Sequence, residues 1–348
     1  GRPPDMSAPA AAAMRAVLEQ LQKTSHSREA RLEAGLKLRD NYARVLKDVT
    51  NSSTTRNIDG KPLTQLELAR VSVKHRTIAG EALQEVERRL LGRGGSDPPT
   101  LEATGVWAAV AAYLNGRIQA TAIERPGRTP DMSVPAAAAM RAALRQLEKA
   151  AARAEAGMRL RGNRDRVLQD ICNPSSELNI DGKPLTQRTL ERLSPEHEPT
   201  AKEALREIER RLLGEQACDP PTATDASVWQ AVATYLSARI QGTMEQRPGR
   251  SPDMSAAAAE AMRAVLAEMQ RSAARMEAGL KLRDNRARVL QDMCNPSSDF
   301  NIDGKDLTQL DLVRVEPENE ELAEGALREI EYRLLGQSFS EPRTAEAA

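Results

Sequence analysis

Glu81-Ala82-Leu83-Gln84-Glu85-Val86-Glu87-Arg88-Arg89-Leu90-Leu91-Gly92 sets Leu83, Val86, Leu90 and Leu91 at helical spacing and follows them with a glycine. Apolar residues three and four apart share one helix face, and glycine is favoured just past the last turn because it reaches positive φ without steric cost. The stretch predicts an amphipathic helix capped by Gly92. Residues 203–214 and 325–336 repeat it almost letter for letter and close on Gly214 and Gly336.

Working outward, other words recur in the same register. Asn-Ile-Asp-Gly-Lys begins at Asn57, Asn179 and Asn301, a period of 122 residues, and Gly-Arg-Xaa-Pro-Asp-Met-Ser begins at Gly1, Gly127 and Gly249. Such self-similarity predicts an all-α chain of three tandem homologous helical-bundle units: 1–126, 127–248 and 249–348. The first copy is longer near Thr24-Ser25-His26-Ser27 by four residues, the difference between the Gly1–Gly127 and Gly127–Gly249 spacings. That is about one helical turn, so the apolar face stays nearly in phase.

Composition agrees with helices. Aromatics are only 2% of the 348 residues, with Phe and Trp at two positions each, so Leu, Ala, Val, Met and Ile must fill any core. Those residues suit helix bundles better than sandwiches. Lys plus Arg equals Asp plus Glu at 50 each, leaving no net field to draw the chain to phosphate backbones or anionic lipid. No nucleic-acid partner is expected. The apolar runs fall short of the roughly 20 residues a spanning helix needs, so no membrane insertion is expected and the chain reads as soluble. Gly1 opens inside a repeated word without Met, which suggests a fragment or a processed form.

Within each copy, Ser7, Ser133 or Ser255 precedes an Ala-rich run and predicts an N-cap. Met14, Val17, Leu18 and Leu21 form the following stripe, which resumes at Leu32, Leu36, Ala43 and Leu46 and stops at Asn51, Asn173-Pro174 or Asn295-Pro296. One long helix or two collinear ones are predicted. Thr64 and Thr308 would cap a short helix after the Asp-Gly turn. Trp-containing connecting helices are predicted at about 104–121 and about 226–243, with Trp107, Val110, Leu114 and Ile118 on one face. The third copy lacks this element and ends in a polar tail.

Each potential site can be tested against its own copies. Asp299, Asn301 and Asp303 before Gly304 resemble half of a calcium loop, but the acid expected at the loop's far end is out of register, and Asp299 is matched by Thr55 and Glu177. A turn followed by a capped helix explains the same letters, so calcium is the weaker reading. His75 and His197 face Asn319, and His26 lies in the extra text, so no histidine serves all three copies. Cys172 and Cys294 correspond to Thr50, and Cys218 to Ser96. Positions tolerating Thr or Ser are neither metal ligands nor required disulfide partners. The Asn51-Ser52-Ser53 sequon is blocked by proline in the other copies.

One charged set survives: Arg39, Asn41, Arg44 and Asp48 recur as Arg161, Asn163, Arg166, Asp170 and as Arg283, Asn285, Arg288, Asp292. Arg39, Arg161 and Arg283 sit beside the apolar stripe. They are expected either to pair with Glu85 or Asp59 of their own copy or to offer a fork to a partner's carboxylate. The reading that follows is a non-enzymatic scaffold without catalytic residues or cofactor, binding a protein partner multivalently through Arg39, Arg44, Arg161, Arg166, Arg283 and Arg288. The alternatives are a structural spacer or a bacterial secreted or translocated effector. Free thiols favour a reducing cytoplasm or delivery into a host cell.

Overall fold

The computed structural model describes residues 27–51, 70–124, 132–173, 192–246, 254–294 and 315–336. Every regular element among them is helical. The first helix, α1, is described over 27–40. It is followed by α2 (Tyr42–Val49), α3 (Arg76–Leu90), α4 (Leu101–Glu124), α5 (Val134–Ile171), α6 (Glu198–Leu212), α7 (Ala223–Gln246), α8 (Ala256–Cys294) and α9 (Glu320–Leu334). Single 3-10 turns at Val73–His75, Pro195–His197 and Pro317–Asn319 lead into α3, α6 and α9. Among the described residues no helix is long and apolar enough to cross a membrane.

Packing divides the chain into two compact units, 1–158 with 254–261 and 159–253 with 262–348. The boundary between them at 158/159 falls inside the second copy, 127–248, and not at its start. The copied text and the packing boundary are separate properties of the chain, because an Ala-rich helix start buries itself on the helix that precedes it.

In the first unit that helix is α4. Val106, Trp107, Val110, Tyr113 and Leu114 share a core with Leu83 and Val86 of α3 and with Met140, Leu144 and Leu147 of α5. Helix α4 is buried on both sides. It begins a turn before the predicted position because the Thr100 hydroxyl accepts the Ala103 amide at 3.1 Å. In the second unit Leu205, Ile208, Leu212, Trp229, Val232, Tyr235, Leu266 and Met269 are buried, and α6 packs along α7.

The apolar line of α1 differs from the predicted one. Leu32 is 49% and Leu36 40% exposed, whereas Ala30, Ala34 and Leu38 are buried. Gly35 explains the choice, since a Cβ there would lie 2.9 Å from Leu91 Cδ2. The helix turns its small-residue edge toward the end of α3, and the larger leucines are left outside. Gly279 is as tight, with Leu334 Cβ at 3.0 Å from the same hypothetical atom.

The long helices form as predicted: α5 runs 38 residues and α8 runs 39. Asn163 and Asn285 sit inside them with side-chain amides donating to the Arg159 and Lys281 carbonyls one turn back. Asn41 makes the same bond to Lys37, but there a turn separates α1 from α2. Helix α3 ends in a Schellman cap: Arg93 N–H donates to the Arg88 carbonyl at 2.9 Å while Gly92 takes φ +69. Gly214 and Gly336 take φ 72 and 67.

Ser133 and Ser255 cap α5 and α8, their hydroxyls accepting the Ala136 and Ala258 amides at 3.2 and 3.1 Å. Each cap is itself held by a glutamate one hundred residues earlier. Glu33 accepts the Ser133 amide at 2.8 Å and its hydroxyl at 2.6 Å; Glu155 accepts the Ser255 pair at 2.9 and 2.7 Å. Ser7, Thr64 and Thr308 lie outside the described residues.

The Ser133 hydroxyl, then its amide, hold the Glu33 carboxyl below the usual glutamate range; Lys37 assists and burial opposes. A depressed folded-state value contributes stability above the unfolded value and loses it as pH falls through the folded one. Glu33→Gln should therefore cost about 1 kcal/mol at neutral pH, a capping-sized effect. Its denaturation midpoint should converge on wild type as pH falls below the ordinary glutamate value. A constant difference across that range would show that Glu33 acts without its charge.

Candidate functional site

The retained arginines lie where the long helices meet the short ones. Arg39 Nε donates to Glu87 Oε1 at 2.7 Å, and Arg161 Nε donates to Glu209 Oε1 at 2.6 Å. The partner is Glu87, not the expected Glu85; Asp59 lies outside the described residues. Glu85 points inward and is fully buried, accepting Arg89 Nε at 2.7 Å, Ser96 N–H at 2.8 Å and Ser96 Oγ–H at 2.9 Å. Glu207 repeats this with Arg211 and the Cys218 amide.

The Arg–Glu clasp varies along the chain. Glu209 also receives Arg164 Nη1 at 3.3 Å. Arg283 instead lies 3.8 Å from its neighbour Asp284, while Glu331 takes Arg286 Nη1 at 2.9 Å. Arg39, Arg161 and Arg283 remain about half exposed, at 47, 55 and 52% of the side chain. Pairs this open contribute at most about 1 kcal/mol each. Among the described residues, the Nη groups of Arg39 and Arg161 make no hydrogen bond, so the Nε contact orients a guanidinium whose outer edge faces solvent. Arg44 lies 3.5 Å from Asn41 Oδ1 through Nη1, and Arg166 and Arg288 are likewise engaged within the protein.

Asp48 has a different task from its arginine neighbours. It is buried and accepts Arg70 Nη1 at 3.0 Å, while the same nitrogen donates to the Asp48 carbonyl. Arg70 also lies over the Tyr113 ring, with its Cζ 5.4 Å from the centroid. Asp170 and Arg192 repeat the pair at 3.1 Å. Beside them one backbone bond closes the segment: Val71 N–H to Val49 O, Leu193 N–H to Ile171 O and Val315 N–H to Met293 O, at 2.8–2.9 Å. Asp48, Asp170 and Arg70 therefore pin a returning chain to a helix end. The recurrence of Arg70 as Arg192 and Arg314, 122 residues apart, was the available signal.

Asp299, Asn301 and Asp303 lie outside the described residues. Among those described, no three His, Cys, Asp or Glu side chains gather as a metal site. His75 Nε2 lies 2.7 Å from Glu102, and His197 3.7 Å from Glu196. Cys172, Cys218 and Cys294 are free thiols; burial pushes the Cys172 thiol up, with Glu198 adding to the effect. No protein-family model, curated protein or solved structure matches the chain.

Proposed function

We propose that the chain is a non-enzymatic scaffold of three tandem helical units that binds a protein partner multivalently, through the outward edges of Arg39, Arg161 and Arg283. The observation carrying this reading is the single-point tether. An internal glutamate holds Nε of Arg39 and of Arg161 and fixes the plane of each fork, while the Nη edge keeps the geometry that matches a carboxylate bidentately. Preorientation lowers the side-chain ordering cost of association. Repetition then multiplies weak contacts through effective concentration. A structural spacer is the second reading, favoured by the Glu33–Ser133 and Glu155–Ser255 links, which spend retained residues on internal order.

The full-length chain with Arg39→Met, Arg161→Met and Arg283→Met, singly and together, separates the two. Each single change should weaken binding of a protein captured on the wild-type chain by about threefold, and the triple change by roughly 30-fold or more, with helicity unchanged by circular dichroism. A triple variant that retains the same protein at the same affinity sinks the arginine reading.

A further inference from the structure

The pairing of charges between long and short helices is balanced in the first and third copies and unbalanced in the second. Arg39 meets Glu87 one to one. Around α9 each arginine has its own carboxylate: Arg283 lies beside Asp284, Arg286 bonds Glu331, and Arg328 bonds Glu324 at 2.6 Å. Between α5 and α6 the ratio breaks. Arg161 and Arg164 divide the two oxygens of Glu209 between them. Lys202, half-buried on α6, makes no hydrogen bond or ion pair among the described residues. It stands two helical turns before Glu209 and therefore on the same face. Asp165 and Glu198 form no ion pair with any of the three cations among the described residues.

Two positions of the 122-residue register create this surplus. One holds Tyr42, Arg164 and Arg286; the other holds Gly80, Lys202 and Glu324. In the first copy they face each other, since a Cβ on Gly80 would lie 2.8 Å from the Tyr42 hydroxyl oxygen. The second copy places arginine and lysine there, and the third places arginine and glutamate. The chain as a whole carries no net charge, so the excess is local. Arg164 is only 26% exposed, and its Nε is buried without a partner among the described residues. Cations this withdrawn from water are ordinarily paired, and an arriving anion would supply what Glu209 alone does not.

We propose that Arg161, Arg164 and Lys202 bind a phosphoryl group carried on a phosphorylated side chain of the partner polypeptide. Glu209 neutralises one of the three positive charges, and a phosphate monoester, with a charge of about −1.5 to −2 at neutral pH, matches the two that remain. A carboxylate would leave one cation over. Two guanidinium groups converging on one point, with an ammonium beside them, form the kind of cluster that reads phosphorylated motifs. The inference rests on the proposed partner binding at Arg161 and narrows its chemistry in the second copy.

The probe is a fluorescein-labelled peptide pool with one central phosphoserine between randomised residues, titrated with the full-length chain and read by fluorescence anisotropy. Identical pools with serine or glutamate at the centre are the comparison. The phosphoserine pool should bind about tenfold more tightly than either. Arg164→Gln or Lys202→Gln should remove most of that preference and the two together all of it, whereas Arg328→Gln should leave it unchanged. Lys202 has no partner to strand, so Lys202→Gln should keep the wild-type melting midpoint. These variants leave Arg39, Arg161 and Arg283 untouched, so the two readings fail separately. Equal binding of the phosphoserine and glutamate pools overturns the phosphoryl site and leaves the carboxylate forks standing. No saturable binding of any pool, or phosphoserine binding indifferent to Lys202→Gln, also overturns it. So does inorganic phosphate, or a single-stranded oligonucleotide, binding more tightly than the phosphoserine pool, since the ligand would then be a free anion or a nucleic acid.

Discussion

Glu85→Ala should destabilise the first unit by about 3 kcal/mol or more, because removing one partner of a buried ion pair strands the other groups. Glu85 is fully buried among Arg88, Arg89 and the amide and hydroxyl of Ser96, and α4 closes over its helix. Among the described residues its counterpart Glu329 pairs with Arg333, and it keeps 42% of its side chain exposed. Glu329→Ala should cost under about 1 kcal/mol, as exposed pairs do. Urea denaturation followed by tryptophan fluorescence measures both, since Trp107 lies in the first unit and Trp229 in the second. Equal losses at the two positions would mean that the glutamate supports its own helix and not the loop it grips.

Trp107→Ala carries the other large effect. The side chain is 2% exposed in a core shared by α3, α4 and α5, and truncating a buried tryptophan typically costs about 3–5 kcal/mol. Among the described residues its Nε1 has no hydrogen-bond partner, so a hydrocarbon ring should replace most of what it contributes. Trp107→Phe is therefore expected to cost about 1–2 kcal/mol, mainly lost volume. Calorimetry of the full-length chain gives both numbers. If Phe proves as damaging as Ala, the indole nitrogen holds a bond that the burial argument omits.

Much of the helical layout was legible because it depends on neighbours in sequence. Ser133 and Ser255 cap helices as their position before Ala-rich runs implied, and Gly92, Gly214 and Gly336 take positive φ where the Leu-Leu-Gly word placed them. The connecting helices were legible from the tryptophan stripe, though their starts depended on Thr100 and Thr222, a turn earlier.

Side-chain partnership was harder to read. Periodicity states which residues share a face, not which neighbour covers it. Helix α1 carries two such lines, and the bulkier Leu32–Leu36 line loses to Ala30, Ala34 and Leu38 because Gly35 permits a close crossing that a larger residue would block. The word Glu-Ala-Gly, retained at Glu33, Glu155 and Glu277, held both signals: a costly mid-helix glycine and the acid that grips the next serine cap. Arg39 was placed beside the stripe, but its partner depended on Glu85 turning inward and leaving Glu87 at the rim.

The hundred-residue reach from Glu33 to Ser133 also sets a clock for biosynthesis. A ribosome adds roughly 5–20 residues per second, so about 5–20 s separate the emergence of the two groups. Helix α4 emerges only in the last third of that interval, from Leu101 onward, and the side that α5 will cover, next to Trp107, Val110 and Leu114, stays bare until α5 follows. A chaperone that captures short-lived apolar helices would find its opening there, and it would find another when Glu155 waits for Ser255.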